Sequence, residues 1–214
     1  MEDFLTDLVE AFSGKRDKIS GVMVGKVINL LDPLALGRVQ VQLPSIDSLD
    51  LSPWARVAVP MAGIAHGFYF IPNINDEVLV AFEHGEVDAP YIVGSLWNAM
   101  APPPMPSPIP QIRMIRTLVG NTIMFTEVPP SITIQTPSMQ TIVMSPAGIQ
   151  VQTGASIINM TPDGITITGT PNLNLVASAA LNINAPNVTI NGAAATNVQS
   201  AGVCNVTAPL VKIN

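Results

Sequence analysis

The chain has 214 residues, a net charge of −6 and only 11% charged residues, with a mean hydropathy of +0.41. The acidic balance argues against nucleic acid as a partner, which calls for a basic face. Despite the high hydropathy, apolar residues alternate with Asn and Thr, so no run approaches the roughly 18 apolar residues of a membrane-spanning helix. The charges are unevenly placed: 20 of the 24 precede Ile115, and only Arg116, Glu127, Asp163 and Lys212 follow it. An ordinary charged N-terminal half therefore gives way to a polar, nearly neutral C-terminal half.

Over residues 1–19, Phe4, Leu5, Leu8, Val9 and Phe12 fall at helical spacing, and Gly14 with the charged Lys-Arg-Asp-Lys run stops the pattern. This predicts a short amphipathic helix, which is marginal in isolation. It packs on its own domain or docks on a neighbouring protein through Phe4, Leu8 and Phe12. The acidic start lacks the charged-then-apolar pattern of a secretory signal, so assembly is expected in the cytoplasm of the producing cell.

Residues 20–98 carry a series of strand signals: Gly21–Leu30 with a mid-strand glycine, Gly37–Leu43 with clean alternation, Trp54–Val59, Gly67–Ile71, Asp76–Glu83 and Tyr91–Leu96. Asn73–Asp76 and Glu83–Glu86 read as turns. Five or six short strands in such a span predict a small antiparallel barrel, matching an oligonucleotide/oligosaccharide-binding (OB) barrel in size and strand count. Trp54 is expected in the barrel core and Trp97 at its edge. Arg38, Trp54, Arg56, Asp76, Glu77, Glu83 and His84 are the chemically interesting side chains here, but their spacing matches no nucleophile or acid–base motif. They are expected in turns and interchain contacts. His66, His84 and the one cysteine do not make a metal cluster, and no cofactor is implied.

Residues 99–122 hold six prolines between Pro102 and Pro110, which predicts a stiff, extended connector. Arg113 and Arg116 stand just before the next region, where they could line a collar.

From Ile123 to Asn214 the chain reads as pairs of apolar residues two apart: Ile123/Phe125, Ile132/Ile134, Ile142/Met144, Ile149/Val151, Ile158/Met160, Ile165/Ile167, then Leu173/Leu175, Leu181/Ile183, Val188/Ile190, Thr196/Val198, Cys204/Val206 and Val211/Ile213. After Ile165 the pairs step by eight, eight, seven, eight, eight and seven residues, with Asn, Thr, Ser, Gly and Pro between them. Each unit is a short strand with a period-two face, then a turn, and the fixed step marks a repeat architecture. One chain offers about two inward side chains per unit, too few to enclose a core. Units this short do not complete a solenoid coil of three ordinary strands, which favours several chains winding about one axis, most simply three, over a single-chain solenoid. Cys204 falls in an inward slot, where cysteine acts as a small hydrophobe. Twelve rungs at about 4.8 Å give a rod of roughly 55–60 Å, longer than the ~30 Å hydrocarbon core of a bilayer.

Within residues 37–98, the runs GRVQVQLP (37–44), WARVAVPMAG (54–63) and GFYFIPNINDEVLVAFEHGEVDAPYIVGSLWN (67–98) resemble the N-terminal barrel of the phage baseplate assembly protein V family, the central spikes of contractile tails, related to type VI secretion spikes. The resemblance implies an all-β homotrimer: an OB-fold barrel, then an intertwined triple-stranded β-helix. It implies a structural role, with the barrel end attached to a baseplate hub and the needle driven through a target membrane on sheath contraction. A lysozyme domain found in some relatives has no room here. The His-X-His segment by which some needles hold iron is absent. A small cap similar to the proline-alanine-alanine-arginine (PAAR) proteins is expected on the distal residues Val211, Lys212, Ile213 and Asn214. The alternatives are a trimeric receptor-binding fibre or adhesin, and an enzyme. Against the first, Phe125 is the needle's one aromatic. Against the second, Glu127 and Asp163 are its one pair of carboxylates.

Overall fold

The computed structural model describes residues 18–44, 53–105 and 109–213. The helix expected over Phe4, Leu8 and Phe12 lies outside these residues, as does Asn214. The described chain is all-β apart from one 3-10 turn. It divides into two compact units, Met1–Arg116 and Thr117–Asn214. No described helix is long and apolar enough to cross a membrane.

The first unit contains β1 (Val22–Asn29), β2 (Gln40–Gln42), β3 (Arg56–Val57), β4 (Ala62–Gly63), β5 (His66–Gly67), β6 (Glu77–Phe82) and β7 (Pro90–Leu96). Five of them form a sheet in the order β2-β1-β6-β7-β3. A bridge between Val39 and Ala55, with N–H···O distances of 3.0 and 2.7 Å, links its two edge segments and curls it toward a barrel. The alternation in β6 explains the core: Val78, Val80 and Phe82 point inward between half-buried residues. They meet Val27, Val39, Val41, Leu43, Ala55 and Ile92. Gly25, the mid-strand glycine, is needed for close approach. A Cβ there would lie 3.1 Å from both Leu43 Cδ2 and Val80 Cγ2.

Two expectations fail in this unit. Of Gly67–Ile71, only Gly67 is in a strand, as the end of the small β4–β5 hairpin. Phe68, Tyr69 and Phe70 leave the sheet and are exposed, so their aromatic character did not report a paired strand. Trp54 is half-buried and not core. The Arg38 guanidinium sits 5.9 Å from its ring centroid, and such cation–π pairing suits a ring at a rim. Trp97 is 71% exposed.

The remaining strands form a seven-stranded sheet in simple sequential order. They are β8 (Ile112–Arg116), β9 (Thr122–Glu127), β10 (Pro130–Gln135), β11 (Thr141–Ser145), β12 (Gly148–Thr153), β13 (Ser156–Thr161) and β14 (Gly164–Thr168). β8 lies inside the stretch read as connector. From β9 onward each strand pairs antiparallel with the next. Most of the turns are two-residue loops, which send the chain straight back along itself. Gly148 opens β12 at φ +136°, where a Cβ would fall 2.1 Å from the Met160 carbonyl oxygen. No side chain fits there, so Gly148→Ala is expected to disrupt the β12–β13 register.

After Thr168 the pattern changes. Residues 169–213 contain no strand in the single chain. The exit is tied back to β13: Ser156 Oγ accepts from the Thr170 N–H at 3.1 Å and faces the Thr170 carbonyl at 3.3 Å. The first six apolar pairs thus lie in strands paired within one chain. The last six lie in a segment without an intrachain ladder.

Candidate functional site

The register of the second sheet sorts its residues by face. Residues directly opposite one another in an antiparallel pair share a face. Phe125, Ile132, Met144, Ile149, Met160 and Ile165 are opposed in one column. Ile123, Ile134, Ile142, Val151, Ile158 and Ile167 form the second. One face therefore carries the twelve apolar residues of the first six pairs and no polar residue in these columns. The other presents Thr133, Gln150, Asn159, Thr166 and their neighbours, with Gln150 Nε2 donating to Asn159 Oδ1 at 2.9 Å.

Burial is inverted between these faces. In β9, β11 and β12 the apolar positions are exposed while the intervening residues are half-buried. Eight of the twelve, Ile123, Phe125, Ile134, Ile142, Met144, Ile149, Val151 and Ile158, keep 36–41% of their surface open. A continuous apolar face of this kind marks an interaction surface. Covering what is exposed contributes about 0.5–1 kcal/mol per side chain, on the order of 10 kcal/mol for the face of one chain.

Beyond Thr168, Leu173, Leu175, Leu181, Ile183, Val188, Ile190, Val198, Val206 and Val211 are exposed, and Cys204 is also exposed. Backbone amides and carbonyls need partners once they leave water. A segment of 45 residues (169–213) without its own ladder must find them in other chains or in solvent.

The polar residues singled out in the first unit build its turns. Asp32 organises the loop from β1 to β2. Its carboxylate accepts from the backbone N–H groups of Leu34, Leu36 and Arg38 at 3.1, 2.9 and 3.3 Å. It also takes a fork from Arg38, Nη2 at 2.6 Å and Nε at 3.1 Å. The Arg38 guanidinium, helped by these N–H groups and opposed by burial, holds the Asp32 carboxyl well below the usual carboxylate range. The same contact raises the Arg38 pKa. Asp32 escaped the sequence reading, although an Asp-Pro pair before Gly37-Arg38 is a turn signal.

A second cluster joins β7 to the turn after β6. Tyr91 donates its hydroxyl to Glu83 Oε2 at 2.6 Å, and Arg56 Nη1 donates to the same hydroxyl at 3.4 Å. The Arg56 guanidinium lies 5.4 Å from the Tyr91 ring centroid. Glu83, then burial, raise the Tyr91 pKa. Asp76 Oδ2 accepts from the Asn73 N–H at 2.7 Å and closes the turn before β6. His84 takes φ 50° within the 3-10 turn Glu83–Gly85. Glu77 sits in β6 opposite Lys26 and Leu96. These contacts place Arg38, Asp76 and Glu83 at turns and Glu77 within a strand.

Because the Asp32 pKa is depressed in the fold, its contribution is complete well above the ordinary value of 3.8 and is lost as pH falls through the folded value. Asp32→Asn is therefore expected to lower the urea midpoint at pH 7, with the gap to the unsubstituted chain narrowing below about pH 4. A gap that does not change from pH 7 to pH 2 would show that the carboxylate charge is irrelevant.

Two matches with known families coincide with the two β regions. Residues 23–97 match the type VI secretion system/phage-baseplate injector OB domain. Residues 111–170 match the phage baseplate V C-terminal trimerisation domain. The second match runs from β8 to just past β14, the extent of the sheet that carries the open apolar face. The chain belongs to the phage baseplate V family.

Two of three similar proteins are named as type VI secretion system spike proteins and one as a toxin. This family member is 38% identical over 76 residues to the actin cross-linking toxin VgrG1 of Vibrio cholerae, covering 34% of this chain and 7% of the relative. It is 39% identical over 67 residues to the type VI secretion system spike protein VgrG3 of Vibrio cholerae, 29% of this chain and 7% of the relative. With the spike protein VgrG4b of Pseudomonas aeruginosa it shares 39% over 64 residues, 30% of this chain and 8% of the relative. The chain thus matches less than a tenth of the length of these proteins. The candidate site is the apolar face of the sheet that the trimerisation-domain match covers. Phe4, Leu8 and Phe12, expected from the sequence to dock on a neighbouring protein, lie outside the described residues. Val211, Lys212 and Ile213 are exposed at the far end of the unpaired segment.

Proposed function

We propose that three copies of this chain form the central spike of a contractile tail or injection machine. The carrying observation is the twelve-residue apolar face of the trimerisation domain, open in one chain and followed by 45 residues (169–213) with no ladder of their own. Three sheets turned face-inward bury the two columns and leave the Thr, Gln and Asn residues outward. Residues 169–213 then wind as strands between chains, each amide pairing with a neighbouring copy. The result is a stiff rod, nearly free of charge, because bending it requires breaking ladders in three chains at once.

The spike sits at the tail tip or its equivalent. Its OB domains, with Phe4, Leu8 and Phe12, face the hub; Val211, Lys212 and Ile213 meet a small PAAR-like cap; and the rod crosses the target membrane when the sheath contracts. The role is mechanical. One relative is named a toxin, but the matched stretch is 7% of it, and the residues of the OB domain with perturbed pKa values are engaged in its turns. The test is particle imaging with a tag on this chain. The reading expects a single threefold density on the tail axis; peripheral density at fibre positions would support a receptor-binding fibre and reject the spike.

A further inference from the structure

Residues 169–213 hold one chemically distinct pair. Asn191-Gly192 is the one Asn-Gly sequence in the chain. Both residues are exposed, at the corner that follows the Val188/Ile190 rung. Among the described residues, neither the Asn191 side-chain amide nor the Gly192 N–H has a hydrogen-bond partner. The seven other asparagines of this segment precede Leu, Ile, Val or Ala, whose side chains crowd the amide nitrogen that follows the asparagine. Glycine, with no Cβ, leaves that nitrogen open.

Position 192 is also fixed by space. A Cβ there would lie 2.5 Å from both the Ala195 carbonyl oxygen and Thr196 Oγ1. The corner therefore requires glycine, and a reactive pairing with Asn191 comes with it.

We propose that Asn191 is a self-modification site, open in the unassembled chain and shut off by assembly. The Gly192 backbone nitrogen gives its proton to solvent and attacks Asn191 Cγ. The new C–N bond closes a succinimide ring, and the side-chain nitrogen leaves as ammonia. Water then opens either ring carbonyl, yielding aspartate or isoaspartate. One water enters, one ammonia leaves, and nothing is oxidised or reduced. Ring closure needs the backbone to swing the Gly192 nitrogen onto the side chain. Strand ladders on both sides of the corner hold the chain extended and oppose that swing. No ladder serves residues 169–213 in the single chain; in the spike, neighbouring copies supply it. The inference rests on that reading.

The rod registers either product. No charge lies between Asp163 and Lys212, so both products introduce a carboxylate. Isoaspartate also inserts a carbon into the main chain, which shifts the inward–outward alternation of the rungs beyond it. A chain left unassembled thus loses its match to fresh copies.

The experiment incubates the full chain at mildly alkaline pH and follows each asparagine by peptide mapping, with isoaspartate separated by chromatography. The unsubstituted chain, its mass checked by light scattering, is compared with an Ile142→Asp/Ile158→Asp chain, whose apolar face carries carboxylates. In the substituted chain Asn191 is expected to convert well ahead of Asn182 and Asn205. In the trimer its conversion is expected to be at least about a hundredfold slower, because reaction there waits on rare opening. Conversion of Asn191 no faster than that of Asn182 and Asn205 in the open chain overturns the site. Equal conversion in open chain and trimer overturns the gating by assembly alone. An unsubstituted chain that scatters as a monomer overturns the spike reading. Should the substituted chain aggregate, the unsubstituted chain in urea supplies the open state, with the same expectations. Asn191→Gln, whose longer side chain closes the ring poorly, is expected to abolish the signal; a signal that persists overturns the assignment.

Discussion

A chain carrying Ile142→Asp and Ile158→Asp is expected to remain monomeric, while Thr133→Asp with Thr166→Asp is expected to assemble normally. Ile142 and Ile158 stand in the same apolar column, separated by Val151. Thr133 and Thr166 lie on the opposite face of the same sheet. Each aspartate in the apolar face puts an unpaired carboxylate into a shared interior, at a cost of several kcal/mol, repeated in three chains. That exceeds what the remaining apolar residues contribute. Neither pair of substitutions touches the OB core, so the OB domain of the monomeric variant is expected to keep its own unfolding transition. Light scattering on both variants checks this. If the Thr133/Thr166 variant dissociates and the Ile142/Ile158 variant does not, the assignment of inner and outer faces is reversed.

The second large effect concerns residues 169–213. In the trimer their backbone amides are expected to resist hydrogen exchange by a thousandfold or more, equivalent to about 4 kcal/mol of opening. In the monomeric Ile142→Asp/Ile158→Asp variant the same amides are expected to exchange at nearly unprotected rates, since no intrachain ladder serves them. The ladder from β9 to β14 should retain part of its protection in both states, because its hydrogen bonds are internal to the chain. A chain truncated after Thr168 should still form trimers through its apolar face. Protection over 169–213 that survives in the monomer would mean that this segment folds on itself.

The contrast between the two needle segments was partly written in the spacing. From Ile165 the apolar pairs step by seven or eight residues, whereas from Ile123 to Ile165 they step by nine, ten, seven, nine and seven. A chain that winds steadily advances by a constant step; a chain that doubles back adds whatever each hairpin loop requires. Periodicity located every strand pair from Ile123 to Ile167 and put them all on one face of the sheet. It carries no information about which chain supplies the hydrogen-bonding partner, so the internal meander was not anticipated. β8 was hidden by the prolines ahead of Ile112. Phe68-Tyr69-Phe70 predicts a strand in the sequence because aromatic residues favour pleated, half-buried surfaces. Here they stand exposed beside a hairpin. Trp54 reads as a core residue because the sequence does not show Arg38 standing over its ring. Asp32 shows the limit from the other side: its five hydrogen bonds come from groups within six residues, close enough for a turn reading to have found them.

The mass of the purified chain in solution, followed by light scattering on dilution from micromolar to nanomolar concentration, puts the pooled apolar face to its plainest trial. Three times the 22.6 kDa chain mass, held across the dilution series, is the expected result. A stable, non-aggregating species of one chain mass, with the Ile123–Ile167 face open to water, would contradict it.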